Sequence, residues 1–272
     1  MTGEFHRSIG LELGGSRNDR TAVAVFDHFP RTRQLILTEV ALGHAGREGT
    51  ETPDEALIEL LNEFAGPRLS GLGIHAPTCL PPFFRPADKG AIREVQWMRK
   101  TWDRLRPRPA PFLTYMQRPA EIWLRHETPE KFNVTDALGA NGAPILARYH
   151  YLASRLPGPV NEVFPRAALA RLVSALGLPK NITRYYTDVE RGLAFREDFF
   201  NGLRRKLPQI FFYEKDLETM ILHINCFHAA LAAFTQHLAA KGETEPRPKG
   251  FPRDAAWIHI PKPDPDWKRV FD

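Results

Sequence analysis

The sequence predicts an α/β fold in which helices flank a mixed β-sheet. Three observations support this prediction. Three strand-like runs open the chain, a well-capped helix follows them, and two later strand-like runs are each reached through helical segments. The chain has 272 residues, of which 43% are hydrophobic and 25% are charged, so it can bury one sizeable core. We therefore expect one α/β domain with insertions.

The first three strand-like runs predict an antiparallel meander. They are rich in Val, Ile and Leu, and Gly, Asn, Asp and Pro residues occupy the turns between them. The runs are SIGLEL (8–13), TAVAVFD (21–27) and QLILTEV (34–40). Because short turns join neighbouring antiparallel strands, these three should pair in chain order.

The segment after the meander predicts a helix and then a fourth strand. Thr52 and Glu55 have the spacing of a capping box. Pro53 suits the first helical position, and Gly66 suits the C-terminal end of the helix. The run LSGLGI (69–74) follows as a strand. A strand reached through a helix normally lies parallel to its neighbour by a right-handed crossover.

Beyond residue 82 the pattern is mainly helical, with one more strand. Apolar residues recur at helical spacing in several segments, and the run PVNEVF is typical of a short strand. We predict helices at 88–105, near 120–127, at 143–155, from Pro165 onward, near 188–205 and, as one long helix, at 216–241, with the fifth strand at 159–164. The residues after 242 contain six prolines and one short apolar piece, AAWIHI.

This order of elements is that of the ribonuclease H-like fold, which implies a five-stranded mixed sheet. In that fold the first strand is central, the fourth lies parallel beside it, and the fifth lies beside the fourth. The carboxyl ends of these strands and one face of the last helix should form a single cleft. We expect a domain over 1–242, with a helical basic insertion at about 83–158, and a proline-rich tail over 243–272 that packs on the domain.

Four short motifs resemble an uncharacterised bacterial and archaeal domain family that is described as a predicted nuclease of ribonuclease H-like fold. The family has a first strand ending in G-[IV]-D, a fourth strand ending in D-A-P, a fifth strand reading E-x-[YF]-P, and a late helix of the form D-x-x-D-A-x-x-A-A-x-T. The matching segments here are GLELGGS (10–16), GIHAPTCLP (73–81), EVFP (162–165) and NCFHAALAAFT (225–235). The resemblance spans most of the chain and implies a metal-dependent nuclease.

The sequence departs from the family at the residues that would carry the chemistry. The family aspartates of the first strand, the fourth strand and the late helix correspond here to Glu12, His75, Asn225 and His228. Only Glu162, on the fifth strand, keeps the family carboxylate. Glu12, His75, Glu162 and His228 are therefore the candidate catalytic residues, and Glu12, His75, Asn225 and His228 are the candidate metal ligands.

These residues leave three interpretations open. The family chemistry implies two Mg²⁺ or Mn²⁺ ions about 3.5 to 4 Å apart, but a neutral imidazole cannot bridge two such ions. In the first interpretation Glu12, His75 and His228, with or without Glu162, bind a single Zn, Mn or Fe ion. In the second the metal site is lost, no cofactor binds, and the cleft serves as a nucleic-acid or protein binding surface. In the third the two histidines have only structural roles.

The charge distribution favours an acidic partner such as nucleic acid. The formal net charge is +5 and the pI is about 9.3. A positive charge of this size can also serve only to keep a protein soluble. Residues 99–118 hold six Arg or Lys residues against one Asp, with aromatic residues between them. The candidate nucleic-acid or phosphate contacts are Arg104, Arg106, Arg108, Arg118, Arg148 and Arg166. The last three can equally pair with neighbouring carboxylates.

Several other classes of protein are disfavoured. No apolar run approaches the roughly 18 to 20 residues of a membrane span, and the first ten residues lack a signal-peptide core, so we expect a cytoplasmic protein. Two cysteines provide neither a disulfide framework nor a CxxC metal knuckle. No Walker loop, GxSxG or HExxH motif occurs. An actin-like ATPase would need a second copy of the first strand motif, which is missing. The sequence leaves a homo-oligomer open.

Overall fold

A seven-stranded mixed sheet forms the centre of the molecule. The computed structural model describes residues 4–15, 20–43, 52–105, 115–139 and 142–272. The strands are β1 (His6–Glu12), β2 (Ala22–Phe29), β3 (Gln34–Leu42), β4 (Leu69–His75), β5 (Val160–Val163), β6 (Ile210–Phe212) and β7 (Ile258–His259). They lie side by side in the order β6-β3-β2-β1-β4-β5-β7.

Helices connect and cover the strands. They are α1 (Pro53–Ala65), α2 (Lys89–Arg104), α3 (Pro119–Ile122), α4 (Gly142–Leu152), α5 (Pro165–Ala175), α6 (Asn181–Tyr185), α7 (Gly192–Lys206), α8 (Glu214–Leu222), α9 (Ile224–Ala240) and α10 (Trp267–Phe271). A π-helical turn continues α3, and a 3₁₀ turn follows α4. The capping box of α1 is confirmed, because Thr52 and Glu55 each accept a hydrogen bond from the backbone N–H of the other.

The predicted α/β class is confirmed, but the predicted number of strands is wrong. β1, β2 and β3 form an antiparallel meander, β4 lies parallel to β1, and β5 lies parallel to β4. Two further strands extend the edges: β6 pairs parallel with β3, and β7 pairs parallel with β5. They contain only three and two residues, too few to produce a strand pattern that sequence reasoning can detect.

Helix α9 packs directly on the centre of the sheet. Gly10 of β1 and Gly73 of β4 are register partners, and both face this helix. A Cβ atom on Gly10 would overlap the backbone of Ala229 and Ala233, and one on Gly73 would overlap the backbone carbonyl of Ala232. Glycine on the strands and alanine on the helix therefore allow the two backbones to approach closely.

Apolar residues bury both faces of the sheet. On the α9 side, helices α5 and α7 contribute to a large core that includes Phe199, Phe227 and Phe234. On the opposite side, α1 and α4 cover the sheet with Leu57 and Leu152 among the buried residues. A third cluster joins α3 to the segment before β7 and contains four large aromatic residues, Trp123, Phe132, Phe251 and Trp257. The core thus has a layer of helices on each side of the sheet.

The prediction of one continuous helix at 216–241 is wrong. The chain breaks at His223, whose backbone is extended (φ −111°, ψ 108°), and α8 and α9 meet there at 116°. The apolar repeat continues through the break because both helices bury an apolar face, so periodicity alone cannot reveal it. No single helix among the described residues is long and apolar enough to cross a membrane, although α8 and α9 together, bent by 116°, reach the length and apolar composition of a span.

The tail over 243–272 is attached to the domain by buried polar contacts as well as by β7. Arg171 of α5 is almost fully buried, and its guanidinium forms ion pairs with Glu245 (2.9 Å) and Glu130 (2.6 Å). The buried carboxylate of Glu243 accepts hydrogen bonds from the Asp266 backbone (3.0 Å) and from the Lys262 ammonium (3.2 Å). The Arg171–Glu245 pair therefore holds the tail against α5, and the contacts of Glu243 hold the tail together internally.

The close approach of α9 to β1 predicts a large cost for a side chain at Gly10. We expect Gly10→Ala to reduce the free energy of unfolding by about 3 kcal/mol or more, because the methyl group would meet backbone rather than movable side chains. Chemical denaturation followed by circular dichroism measures this change.

Gly90→Ala is the matched control for that substitution. Gly90 lies in the first turn of α2, and its nearest neighbours are side-chain atoms of Asp88 and Asp254. This variant should be neutral or more stable by up to about 1 kcal/mol, because alanine has the higher helix propensity. Equal losses at Gly10 and Gly90 would contradict the proposed packing.

Candidate metal centre

Three of the candidate residues meet at the carboxyl ends of the central strands. Glu12 is the last residue of β1 and His75 the last of β4, and the two are register partners. Side chains on a strand alternate between faces, so both residues lie on the same face as Gly10 and Gly73, which is the face that α9 covers. His228 lies near the start of α9, one helical turn before Ala232, and reaches the same point.

Glu12 is the centre of this cluster. Its Oε2 atom is 2.6 Å from Nδ1 of His75, and its Oε1 atom is 3.4 Å from Nδ1 of His228. The two imidazole rings meet edge to face with their centroids 5.7 Å apart. The side chains are only partly exposed, at 14% for Glu12, 29% for His75 and 15% for His228. One carboxylate thus holds two histidines, and solvent reaches all three.

The neighbouring charges shift the pKa values of Glu12 and His75 in opposite directions. Burial opposes ionisation of Glu12, but the charges and hydrogen bonds of the two histidines outweigh it and lower the pKa of the carboxyl to about 2. Burial also disfavours the charged form of His75, whereas the carboxylates of Glu12 and, more weakly, Glu162 raise its pKa above the ordinary value. Glu12 is therefore an anion at neutral pH.

Tyr186 completes the surroundings of His228. Its hydroxyl oxygen is 3.3 Å from Nε2 of His228, and its side chain is buried against Phe227. Burial raises the pKa of the phenol to about 12, so the hydroxyl keeps its proton at neutral pH. With Glu12 on one ring nitrogen and Tyr186 on the other, the orientation of the His228 ring is fixed. Sequence reasoning missed Tyr186, because nothing in the local run RYYTD indicates its tertiary position.

Glu162 has a different set of partners. Both of its oxygens accept hydrogen bonds from the guanidinium of Arg118, at 2.8 and 2.6 Å. The backbone N–H and the hydroxyl of Thr78 also donate to it, each at 2.8 Å. Arg118 further pairs with Glu121, and all three charged side chains are at most 5% exposed. Glu162 is thus held in a buried ion-pair network beside the Glu12 cluster.

A cavity of about 150 Å³ lies between the cluster and this network. His75 forms part of its wall, as do Arg118 and Glu162. Apolar side chains, including Phe164 and Ile258, line most of the remainder. A small group that enters this cavity therefore touches a member of the Glu12 cluster.

The other candidate residues lie apart from the cluster. Arg148 pairs with Asp54 and donates to the carbonyl of Gly14, behind the end of β1. Arg166 is exposed in the first turn of α5, and its charge acts on Tyr186. Arg104 is exposed at the end of α2 and makes long contacts, of 3.4 Å, to Thr101 and Glu127.

The remaining three candidates are Asn225, Arg106 and Arg108. Asn225 lies one helical turn before His228, is partly exposed, and has no hydrogen bond to any side chain among the described residues. Arg106 and Arg108 lie outside the described residues.

The arrangement has the composition of a site for one transition metal ion. One ligand atom from each of Glu12, His75 and His228 can be chosen so that all three lie within 4.8 Å of one another, and this is the only such group among the described ranges. In a tetrahedral zinc site the ligand atoms are about 3.4 Å apart. The distance from His228 to Glu12 matches this value, whereas His75 and Glu12 would need to separate slightly.

Comparison with known proteins adds nothing to this assignment. No protein-family model, no curated protein and no solved structure matches the chain. The resemblance carried by the four short motifs therefore stays a prediction.

The opposite pKa shifts of Glu12 and His75 predict a bell-shaped pH dependence for their interaction. At pH values above 4.5, the ordinary pKa of a glutamate side chain, the lowered pKa of Glu12 stabilises the fold. This contribution is lost as the pH falls towards 2. At pH values below 6.5, the ordinary pKa of a histidine side chain, the raised pKa of His75 stabilises the fold. This contribution is lost as the pH rises through the pKa that His75 has in the folded state. The interaction should therefore be strongest between these two limits.

A double-mutant cycle with Glu12→Gln and His75→Gln measures this interaction. Denaturant unfolding at about pH 5.5 should give a coupling of roughly 1 to 3 kcal/mol, which shrinks at about pH 3 and again at about pH 9. His150→Gln, at an exposed ring on α4, is the control for general effects of histidine removal. A coupling that does not vary with pH would show that the ion pair does not exist.

Proposed function

We propose that this protein is a metal-dependent phosphodiesterase in which Glu12, His75 and His228 bind one divalent ion. The observation that carries the proposal is the convergence of these three side chains at the carboxyl ends of β1 and β4, in contact with solvent and beside a cavity. In open α/β sheets this edge is where ligands bind. Nucleic acid is the substrate class that the motif resemblance implies and that the net charge favours.

We also propose that the fold is a ribonuclease H-like sheet with two added edge strands. Support comes from strand order, since β3-β2-β1-β4-β5 has an antiparallel meander followed by two parallel strands. The added strands β6 and β7 extend the two edges and leave the central pairing unchanged. The packing of α9 across β1 and β4 agrees with the last helix of that fold.

The ligand set favours Zn, Mn or Fe over Mg. Two imidazole nitrogens and one carboxylate suit borderline transition metals, whereas Mg²⁺ requires oxygen ligands. A second ion would need another carboxylate, but Glu162 already accepts four hydrogen bonds from Arg118 and Thr78. Releasing it would leave the buried guanidinium without one of its two carboxylate partners, which is costly. A single-ion site is therefore favoured.

Each residue of the candidate site has a separate role in the proposed hydrolysis. A bound divalent ion would polarise a phosphoryl oxygen and acidify a water molecule. Glu12 and the two histidines, whose Nδ1 atoms face its carboxylate, would hold the ion, and Tyr186 holds the far nitrogen of His228. Arg166, exposed near Tyr186, can attract the phosphate group of a substrate. The cavity of about 150 Å³ beside His75 can take a small part of the group attached to that phosphate.

The alternative function is a binding module without a metal. The observation that favours it is the 2.6 Å contact between His75 and Glu12, because the two groups already satisfy each other as a hydrogen-bonded ion pair. In this case the protein binds nucleic acid or a partner protein through the same end of the sheet and hydrolyses nothing. The two functions make different predictions about metal content.

Elemental analysis of the purified protein distinguishes the two functions. We expect about one equivalent of Zn, Mn or Fe per chain, either as purified or after loading and desalting. Glu12→Gln, His75→Ala and His228→Ala should each reduce the metal content at least tenfold, because each removes one of three ligands. Hydrolysis of bis(p-nitrophenyl) phosphate should fall in parallel.

His150→Ala is the matched control, because it removes an exposed histidine outside the cluster. It should leave both metal content and hydrolysis unchanged. A chain that stays metal-free in excess Zn²⁺ and Mn²⁺ would contradict the enzyme proposal and support the binding module.

The contact between Tyr186 and His228 predicts a weaker metal site when the hydroxyl is removed. Tyr186→Phe should lower metal affinity by about tenfold, because loss of the outer hydrogen bond leaves the imidazole less well oriented. Titration with Zn²⁺ against a competing chelator measures the affinity. Tyr185→Phe removes a neighbouring hydroxyl that is outside the cluster and should have no effect. Equal affinities for both variants would exclude a role for Tyr186 in orienting His228.

A further inference from the structure

A groove of about 630 Å³ lies between α2 and the loop that precedes β7. Helix α2 contributes Arg93, Gln96, Trp97 and Lys100, whose spacing of three and four residues puts them on one helical face. The opposite wall consists of residues 250–254. The groove contains none of the residues of the Glu12 cluster or of the cavity beside it.

The charge of the groove is strongly positive. Arg93, Lys100 and Arg253 are exposed in it, and only Asp254 opposes them. Arg93 pairs with Asp254, but both side chains are more than half exposed, so the pair contributes little stability and can open. Arg247 donates a hydrogen bond to the carbonyl of Arg253 (2.6 Å) and adds a further cation at the rim.

Aromatic side chains form the floor between these charges. The Trp97 ring packs edge to face on Phe251 with centroids 5.1 Å apart, and Phe251 packs on Trp257 at 5.0 Å. Trp97 is only partly buried, so part of its ring is open to the groove. Cations for phosphates and an aromatic ring for a base are the combination that single-stranded nucleic acid requires.

The positive stripe continues beyond the groove. Arg104 follows Lys100 by four residues on the same face of α2, and 59% of its side chain is exposed. From Arg93 to Arg104 the helix rises about 16 Å, at 1.5 Å per residue. The cations therefore form a track along the helix rather than a single anion site.

We propose that this groove binds a single strand of nucleic acid through Arg93, Lys100 and Arg253, with a base on Trp97. This inference rests on the proposed function, which takes nucleic acid as the substrate. Binding of the strand itself needs no metal. A duplex keeps its bases stacked inside and offers nothing to Trp97, and a free phosphate ion would not use the aromatic floor. The groove shares no residue with the Glu12 cluster, so it holds the strand and contributes affinity without taking part in hydrolysis.

Fluorescence anisotropy with a labelled oligo-dT 20-mer tests the proposal. The triple variant Arg93→Gln, Lys100→Gln, Arg253→Gln should bind at least tenfold more weakly at low salt. The slope of log affinity against log salt should become shallower by about 2, because each lost contact to a single strand contributes about 0.7. The three side chains are exposed, so we expect the variant to fold normally, and its circular dichroism and melting temperature verify this.

Three further samples make the result specific. A second triple variant removes the same charge from the exposed end of α7: Arg204→Gln, Arg205→Gln, Lys206→Gln. Its affinity for the oligonucleotide should fall less than threefold. Trp97→Ala should weaken binding with an unchanged salt slope. His150→Gln, at an exposed ring on α4 outside both the groove and the Glu12 cluster, should bind the oligonucleotide like the unaltered chain. Equal losses in the two triple variants, or tighter binding of a duplex of the same length, would overturn the proposal. Strand binding without phosphodiester hydrolysis would leave the groove intact and reject the proposed enzyme.

Discussion

The contact between α9 and two glycines at the centre of the sheet determines where the candidate site lies. Gly10 and Gly73 let the helix backbone rest on β1 and β4, and the alanines that face them keep the gap small. Two residues further along the same strands, Glu12 and His75 point to the same face. A larger residue at either glycine would lift α9 and withdraw His228 from the carboxylate.

The three central strands that end at the site carry two carboxylates with opposite surroundings. Glu12 is shared between two histidines and is reached by solvent, whereas Glu162 is buried and paired with Arg118. A cluster of uncompensated carboxylates would attract two hard cations. Here only one carboxylate remains available to a ligand, and nitrogen atoms surround it, so the electrostatics favour a single softer ion.

Much of the architecture could be predicted from the sequence because its signals are local. The meander, the capped α1 and the strand that ends at His75 each follow from alternation, caps and turn residues. The convergence of Glu12, His75 and His228 could be anticipated once the strand order was assumed. The break at His223 could not, because α8 and α9 both bury apolar faces and the repeat runs through it. Partners such as Tyr186 depend on tertiary position, for which the chain carries no local signal.

The pairing of β5 with β7 has a consequence for the order in which the molecule is completed. Glu162 is the register partner of Ile258, and Ile258 is part of the cavity wall beside His75. A ribosome makes Glu12, His75 and His228 well before it makes Ile258. A nascent chain can therefore assemble the Glu12 cluster while the neighbouring cavity still lacks a wall. Full enclosure of that cavity must wait until residue 258 has left the exit tunnel, so the cavity is one of the last parts of this fold to be completed.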